Sequence, residues 1–168
     1  MFKKILLAVA VALPMFAAAQ SPKFGTVEVQ NIFQAMPETA AMNTQLEEAS
    51  KKYQEEFNKL QEEFNKKYTE LQTLDQDATT PQSIKERRMQ ELSELNDKVQ
   101  QFRQTASEDL QRQQQTLMAP IQERVLTAIK AVGQENNFTF ILTTDVPAYV
   151  GSDVVDVTPL VKTKLGLK

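Results

Sequence analysis

The side chains that perform most enzyme chemistry are missing from this 168-residue chain, which contains no histidine and no cysteine. Their absence excludes Ser-His-Asp and Cys-His catalysis, the common zinc sites and a disulfide framework. The four glycines form no phosphate-binding loop of the GxGxxG or P-loop type. Carboxylates alone can act as general acids and bases, but here they follow a pattern typical of solvated helix faces. We therefore expect neither an enzyme nor a site for a cofactor or a metal.

The carboxylates of residues 47–67 have the spacing that stabilises a helix. Glutamate precedes lysine by four residues in the pairs Glu47–Lys51, Glu48–Lys52, Glu55–Lys59, Glu62–Lys66 and Glu63–Lys67. This is the favourable order, and each pair stabilises a helix by roughly 0.2–0.5 kcal/mol. The alternative is that these charges form a binding surface for a partner. We favour helix support because the charges neutralise one another.

Apolar residues of the same segment form one narrow stripe, which predicts a long helix with a single buried face. They recur every three or four residues: Met42, Leu46, Ala49, Tyr53, Phe57, Leu60, Phe64, Tyr68, Leu71 and Leu74. The stripe repeats after eleven residues, which predicts a nearly straight helix. A stripe this narrow can pack on one neighbouring helix, and the other faces of the helix stay in solvent.

A second stripe can supply the neighbouring helix: Met89, Leu92, Leu95, Val99, Phe102, Ala106, Leu110 and Leu117. Turn-forming residues at 75–81 separate the two stripes, with Thr80 as the expected N-cap and Pro81 as the expected first residue of the second helix. The sequence therefore predicts an antiparallel helical hairpin over residues 37–120 with its tip near 75–81. Pro120 predicts a kink where the second helix leaves the hairpin, and a slightly bent continuous helix is the alternative.

Strand-like segments lie at both ends of the chain. Near the start, Val27 and Val29 alternate with polar residues, which predicts a half-buried strand followed by a short helix. Near the end, the long helix should stop at 133–137 and a strand should cover 138–143, with 148–150 as a second strand or hairpin return. The pleat of the strand predicts two faces, one with Phe138, Phe140 and Leu142 and the other with Ile141.

The strand segments predict a small body built from both chain ends, 20–36 and 121–168, which closes with a short helix from an N-cap at Thr158 to Gly166. Such a body has about sixty residues and, without disulfides or metals, is marginally stable alone. We therefore predict an α+β fold whose body forms an oligomer, which also covers strand edges. The expected association residues are Val27, Val29, Phe138, Phe140, Ile141 and Leu142.

The first nineteen residues have the features of a secretory signal peptide that is cleaved near Ala19. They combine a basic start, an apolar run and a small-residue end. An uncleaved membrane anchor is the less favoured alternative because the apolar run is short. Removal of Lys3 and Lys4 leaves 17 basic and 22 acidic residues, a net charge of −5. This charge argues against nucleic acid as a partner and leaves contact with a membrane surface open.

The tail at 148–158, AYVGSDVVDVT, resembles the terminal signature of the Skp (OmpH-like) periplasmic chaperones. Ala148-Tyr149, Ser152-Asp153-Val154 and Asp156-Val157-Thr158 match that pattern, and the order of elements is similar over essentially the whole mature chain. The resemblance implies a homotrimer with a central β body and three hairpins that enclose a cavity. It also implies that the cavity holds unfolded outer-membrane proteins without ATP. The best-known member is basic and this mature chain is acidic, so no lipopolysaccharide-binding residue is carried over.

On this resemblance we expect a periplasmic holdase chaperone that holds unfolded outer-membrane β-barrel proteins through many weak contacts with its arms. The candidate client contacts are the large aromatic residues of the arms: Tyr53, Phe57, Phe64, Tyr68 and Phe102. Their regular spacing also fits packing between the two helices, and this role is favoured. The alternative function is a structural coiled-coil spacer or adaptor of the cell envelope, which would need a chemically distinctive hairpin tip.

Overall fold

The structure, a computed structural model, describes residues 22–167, and the predicted signal peptide at 1–19 lies outside them. The elements in chain order are β1 Phe24–Val27, α1 Val29–Ala35, α2 Pro37–Gln76, α3 Gln82–Glu135, β2 Phe140–Thr143, β3 Val155–Asp156 and α4 Thr158–Leu165. Helices α2 and α3 form the hairpin, and the strands come from the two ends of the chain. The predicted α+β architecture, a small sheet with a long inserted hairpin, is confirmed.

The three strands form one parallel sheet in the order β2-β1-β3. In this register Gly25 of β1 lies opposite both Ile141 of β2 and Val155 of β3. Gly25, Thr26 and Val27 are all buried, so the predicted alternation of buried and exposed residues is wrong for β1. Both faces of β1 are covered. Gly25 lies against Phe138 and Val157 on the core side, and Thr26 lies beside Val154 of the loop on the other side, so consecutive residues are buried.

Two predicted strand segments differ from the structure. Val29 begins α1 and does not extend β1. The chain leaves the sheet at Glu28, because the N–H of this residue donates a hydrogen bond to Oγ1 of Thr158 (2.9 Å). The strand or hairpin return predicted at 148–150 is also wrong, since the strand lies at Val155–Asp156. A hairpin return would run antiparallel to β2, whereas the chain crosses to the far side of β1 and pairs with it in parallel.

The core of the body lies between the sheet and the helices on its inner side. Its least exposed large side chains are Val27, Ile32, Met36, Val125, Val157 and Val161. Phe138 and Ile141 pack together against this core, so Phe138 does not share the outward face of Phe140 and Leu142, as the pleat had predicted. The reason is that Asn137 has a φ of 55° and β2 begins only at Phe140, so the regular alternation does not extend back to Phe138.

The ends of the long helix and of the last helix fall where the sequence predicts them. Helix α3 continues through Pro120 and closes when the N–H of Phe138 donates to the carbonyl of Gly133 (2.9 Å), with Asn137 in the left-handed conformation between them. This is the hydrogen bond of a Schellman C-cap. Helix α4 ends at Gly166, whose φ of 75° is readily adopted by glycine.

The predicted N-caps are wrong at both helices concerned. Pro81 occupies the N-cap of α3, because the hydroxyl of Thr80 donates instead to Asp77 (3.0 Å) within the turn. Val157 occupies the N-cap of α4, because the hydroxyl of Thr158 accepts the N–H of the α1 N-cap residue. In both cases the threonine side chain is engaged by a competing partner, which a local capping pattern does not include.

Candidate functional site

The hairpin is held together by two separate groups of apolar side chains. At its base, Met42 and Leu46 of α2 and Leu117 and Ile121 of α3 extend the core of the body. Further out lies a second group, the distal cluster, formed by Leu60, Leu95 and Val99 with Phe57, Phe64 and Phe102 around them. Between the groups the seam is lined by small and polar residues around Tyr53, and we call this stretch the joint.

Tyr53 is the main link across the joint. Its ring meets the ring of Phe102 edge-on with the centroids 6.1 Å apart, and its hydroxyl donates to the carboxylate of Asp109 at 3.0 Å. Cavities lie beside the ring, one of about 250 Å³ next to Arg103 and one of about 430 Å³ next to Lys52. Cavities therefore interrupt the apolar packing at the joint, and a hydrogen bond holds the two helices together there.

Four of the five candidate client contacts take part in packing within the hairpin. Phe57, Phe64 and Phe102 pack half-buried around the distal cluster, and Tyr53 lies in the joint. Tyr68 differs from them because it is 47% exposed, and its ring stacks on that of Phe64 with the centroids 6.4 Å apart. Of the five rings, that of Tyr68 therefore offers the most accessible apolar surface.

Of the five pairs predicted on α2, one forms an ion pair in the structure, and two of the lysines pair with other glutamates. Lys51 lies 3.2 Å from Glu47, as the spacing of four residues predicts. Lys59 instead pairs with Glu56 at the spacing of three, with 3.4 Å between the charged atoms. Lys67 reaches across the hairpin to a glutamate of α3. The charges of α2 therefore stabilise the hairpin partly through an ion pair between its two helices. The spacing of residues within one helix cannot predict such a pair.

That glutamate, Glu91, is the centre of a charge network near the tip of the hairpin. It accepts hydrogen bonds from Arg88 (2.7 Å) and Arg87 (3.1 Å) and lies 3.7 Å from Nζ of Lys67. The hydrogen bond from Arg88 is the main reason that the pKa of Glu91 lies below its ordinary value. The network therefore favours the ionised carboxylate and joins the two helices just below the tip.

The turn at the tip is closed by Asp77. Its carboxylate accepts the hydroxyl (2.7 Å) and the backbone N–H (2.8 Å) of Thr79 and the hydroxyl of Thr80. These hydrogen bonds, first those of Thr79, hold the pKa of Asp77 below its ordinary value. The carboxylate is engaged within its own turn, so this feature does not favour the adaptor function.

The outer surface of the sheet is apolar and largely exposed, although the loop at 147–154 lies beside part of it. Phe140 is 60% exposed, Leu142 is exposed, and the ring of Phe24 stacks on that of Phe140 with the centroids 6.2 Å apart. Tyr149, in the loop after β2, is 84% exposed. These four residues and Val150 line a cavity of about 230 Å³. We call this surface the sheet face.

The six predicted association residues fall into two groups. Phe140 and Leu142 lie on the sheet face. The other four belong to or pack against the core of their own chain: Val27, Val29, Phe138 and Ile141. Phe24 and Tyr149 also lie on the sheet face, and the sequence analysis did not select them. Tyr149 stands in the tail segment that carries the family resemblance, and Phe24 begins the strand whose hydrophobic pattern was used, so a signal for each was present.

Within residues 22–167, no helix combines the length and the apolar character needed to cross a membrane. In the same range, no cluster of three or more acidic side chains is placed to hold a metal ion.

A long helical hairpin inserted into a small parallel sheet with an exposed apolar face defines a class of α+β proteins in which a helical arm extends from a small body. The sequence matches the family model of the outer membrane protein (OmpH-like) family over residues 23–165, so the chain belongs to the OmpH-like family. This result confirms the resemblance of the tail segment.

The fold is similar to that of a solved protein from Caulobacter crescentus described as a candidate outer membrane chaperone (OmpH-like). The two have a TM-score of 0.73 and 14% sequence identity, and the similarity covers 86% of this chain and 84% of the other. At this identity the likeness concerns the fold. No curated protein sequence matches this chain.

Proposed function

We propose that this protein is an ATP-independent periplasmic holdase chaperone, which binds unfolded outer-membrane β-barrel proteins between helical arms and prevents their aggregation. The observation that carries the proposal is the exposed apolar sheet face at the base of a long hairpin, in a chain of the OmpH-like family. An arm held only by a narrow seam leaves most of its surface free for a client.

Self-association at the sheet face is the first part of the proposal. Three chains that meet there would bury Phe24, Phe140, Leu142 and Tyr149 and would give the edge strand β2 a partner. The three hairpins would then surround a common space. Val27, Val29, Phe138 and Ile141 would contribute from within, because they hold the strands in place against the core.

Weak and repeated contact along the arms is the second part of the proposal. Tyr68 is the best placed of the aromatic candidates, since almost half of its surface is exposed. Phe57, Phe64, Phe102 and Tyr53 would add partial contacts and would respond to bending at the joint. Many contacts of this kind hold an unfolded chain through high effective concentration without selecting one conformation.

The function is tested with an outer-membrane β-barrel protein that is unfolded in urea and diluted into buffer without nucleotide. We expect the purified mature protein to suppress light scattering by the aggregating barrel at near-stoichiometric amounts. A structural spacer or adaptor would leave the scattering curve unchanged, and this result would reject the chaperone proposal.

Association is tested separately with Phe140→Asp, which places a charge in the proposed interface. We expect the mass from multi-angle light scattering to fall from three chains to one, because an unpaired carboxylate is costly to bury. Tyr68→Asp is the control, since it changes an exposed ring of the hairpin far from the sheet. An unchanged mass in Phe140→Asp would remove the sheet face from the interface.

A further inference from the structure

The two long faces of α2 that flank the seam differ in charge. One face, at a spacing of three or four residues, is uncharged: Ser50, Gln54, Phe57, Gln61, Phe64 and Tyr68. The opposite face, at the same spacing, is fully charged: Lys52, Glu56, Lys59, Glu63, Lys66 and Glu70. With ~3.6 residues per helical turn, each set lines one side of the helix. The segregation is therefore a property of the helix surface along the whole distal arm.

Helix α3 has the same division. One of its faces carries Met89, Leu92, Asn96, Arg103, Ser107 and Leu110, among which Arg103 is the charged member. The opposite face carries Arg87, Glu91, Glu94, Lys98, Asp109 and Arg112. The guanidinium of Arg103 lies 4.6 Å from the centre of the Phe57 ring, so this charge lies on an aromatic ring of the neighbouring helix.

Contacts across the seam show that like faces lie on the same side of the hairpin. The 250 Å³ cavity of the joint is lined by Gln54 and Phe57 from the uncharged face of α2 and by Arg103 and Leu110 from the matching face of α3. On the other side, Lys67, which lies between the seam and the charged face of α2, pairs with Glu91 on the charged face of α3. The hairpin is thus a two-helix layer with one charged side and one side, here called the amide face, that is uncharged apart from Arg103.

We propose that the amide face is the surface that receives the client, and that the client segment is an extended polypeptide with large apolar side chains; this rests on the proposed chaperone function. Glutamine and asparagine side chains both donate and accept hydrogen bonds, as the unpaired backbone of an unfolded chain requires. Their desolvation costs less than that of lysine or glutamate. Apolar client side chains meet the exposed surfaces of Tyr68 and Met89, the latter 50% exposed.

The cavity of the joint gives the amide face one defined subsite. Its volume of about 250 Å³ fits one large side chain, and its lining includes the rings of Tyr53, Phe57 and Phe102. An aromatic client side chain placed there would lie beside the rings of Tyr53 and Phe102, and the guanidinium of Arg103, which lies on the ring of Phe57, would border it. The charged side has the opposite property, since an apolar segment that bound there would have to remove water from lysine and glutamate side chains, which is costly.

A second helix is a poorer occupant of the amide face than an extended chain. Helix packing needs a continuous apolar ridge, whereas here amides at Gln54 and Gln61 alternate with aromatic rings along α2. Alternating side chains of an extended strand project at a period of two residues and can meet such a mixed surface without a fixed register. The occupant to which the inference commits is therefore the unfolded client, and a second copy of the hairpin is an outcome of the test.

The test compares two double variants that each lower the net charge by two. Gln54→Glu with Asn96→Asp adds two negative charges to the amide face, and Lys59→Gln with Lys98→Gln removes two positive charges from the charged side. The readout is the concentration that halves aggregation of an outer-membrane β-barrel protein diluted from urea. We expect roughly a tenfold higher concentration for the amide-face variant, because its new carboxylates must be desolvated by the client. We expect the charged-side variant to match the wild type.

Photo-crosslinking supplies a readout that does not depend on the stability of the variants. A photoreactive amino acid replaces Asn96 or Lys98, two residues apart on α3 and on opposite sides of the hairpin. We expect the unfolded barrel protein to crosslink several times more strongly at position 96. Equal crosslinking at both positions, or equal loss of protection in both double variants, would overturn the inference.

The mass of the amide-face variant in solution tests the remaining outcome, in which this face contacts a second hairpin. A changed number of chains in Gln54→Glu with Asn96→Asp would mean that this face contacts another hairpin of the same protein, and it would also overturn the inference. The wild-type protein is measured in every series. If the wild type itself gives no protection, the proposed function fails, whereas protection without face preference removes only the inference about the amide face.

Discussion

The body and the distal hairpin bury their apolar residues in different ways. In the body, side chains from both chain ends enclose a core in which Ile32 and Val161 have no exposed surface. In the distal hairpin, two helices share one seam, and even its central residue Leu60 keeps 5% exposure. A residue in the body contacts several elements, whereas a residue in the seam contacts one neighbouring helix.

This difference separates two roles within one chain. Packing of the inner side of the sheet against the core fixes the strands and thereby fixes the sheet face that we propose for association. A single seam, whose apolar packing is interrupted by cavities at the joint, can bend and open locally while the helices remain intact. The body is therefore expected to unfold as one unit at a high cost, and the hairpin is expected to open in parts at a low cost.

The largest effect on stability is expected for Ile32→Ala in the body. Loss of this fully enclosed side chain should lower the free energy of unfolding by about 2–5 kcal/mol, because it leaves a cavity that the surrounding elements cannot move in to fill. The measurement is thermal unfolding followed by circular dichroism. Ile84→Ala near the tip is the matched control and should change stability by less than about 0.5 kcal/mol, because Ile84 is exposed. Equal effects at the two positions would contradict the comparison.

A smaller and local effect is expected for Leu60→Ala in the distal cluster. The loss should be near the lower end of the same range, about 2 kcal/mol, because the two helices can approach each other and reduce the cavity. Amide hydrogen exchange should increase around Leu60, Leu95 and Val99 and stay unchanged in the body. Faster exchange in β1 or α4 would show that hairpin and body form one cooperative unit, contrary to the comparison.

The hairpin was the more predictable of the two regions. Its sequence carries the helical period over many turns, so the stripe from Met42 to Leu74 identified both the helix and its seam. What could not be predicted were interactions between side chains of different helices. Lys67 with Glu91 and Tyr53 with Asp109 join residues far apart in the sequence, and no spacing within one helix indicates them.

The sequence predicted which segments of the chain form the body, but it predicted less well how the strands of the body pair. Strand β1 is four residues long, and so short a segment cannot show whether its neighbours are parallel or antiparallel. The error at 148–150 followed directly, because a hairpin return is the local solution and the actual strand at Val155–Asp156 pairs across the sheet. Thr158 is similar, since its role as partner of Glu28 depends on the assembled body.

The joint between the two regions is tested by Tyr53→Phe. This change removes the hydroxyl that donates to Asp109 and keeps the ring. Loss of one such hydrogen bond should cost about 0.5–1.5 kcal/mol, and the effect should appear as faster amide exchange near Tyr53 on α2. Tyr68→Phe is the control, because its ring is exposed beyond the joint. Unchanged exchange in Tyr53→Phe would mean that ring packing alone holds the joint.

The smallest effect is expected when a lower pH protonates Glu91 near the tip of the hairpin. Ionised Glu91 is favoured in the folded state, so its stabilising contribution is fully present above its unfolded pKa of about 4.5 and is lost as the pH falls through its lower folded pKa. Amide NMR shifts of Lys67 and Arg88 should therefore change below about pH 4 while those of the body core stay constant. Glu91→Gln should abolish this part of the titration, and Glu70→Gln, an exposed acid on α2, should retain it. A transition that begins in the body at the same pH would show that the tip does not respond independently.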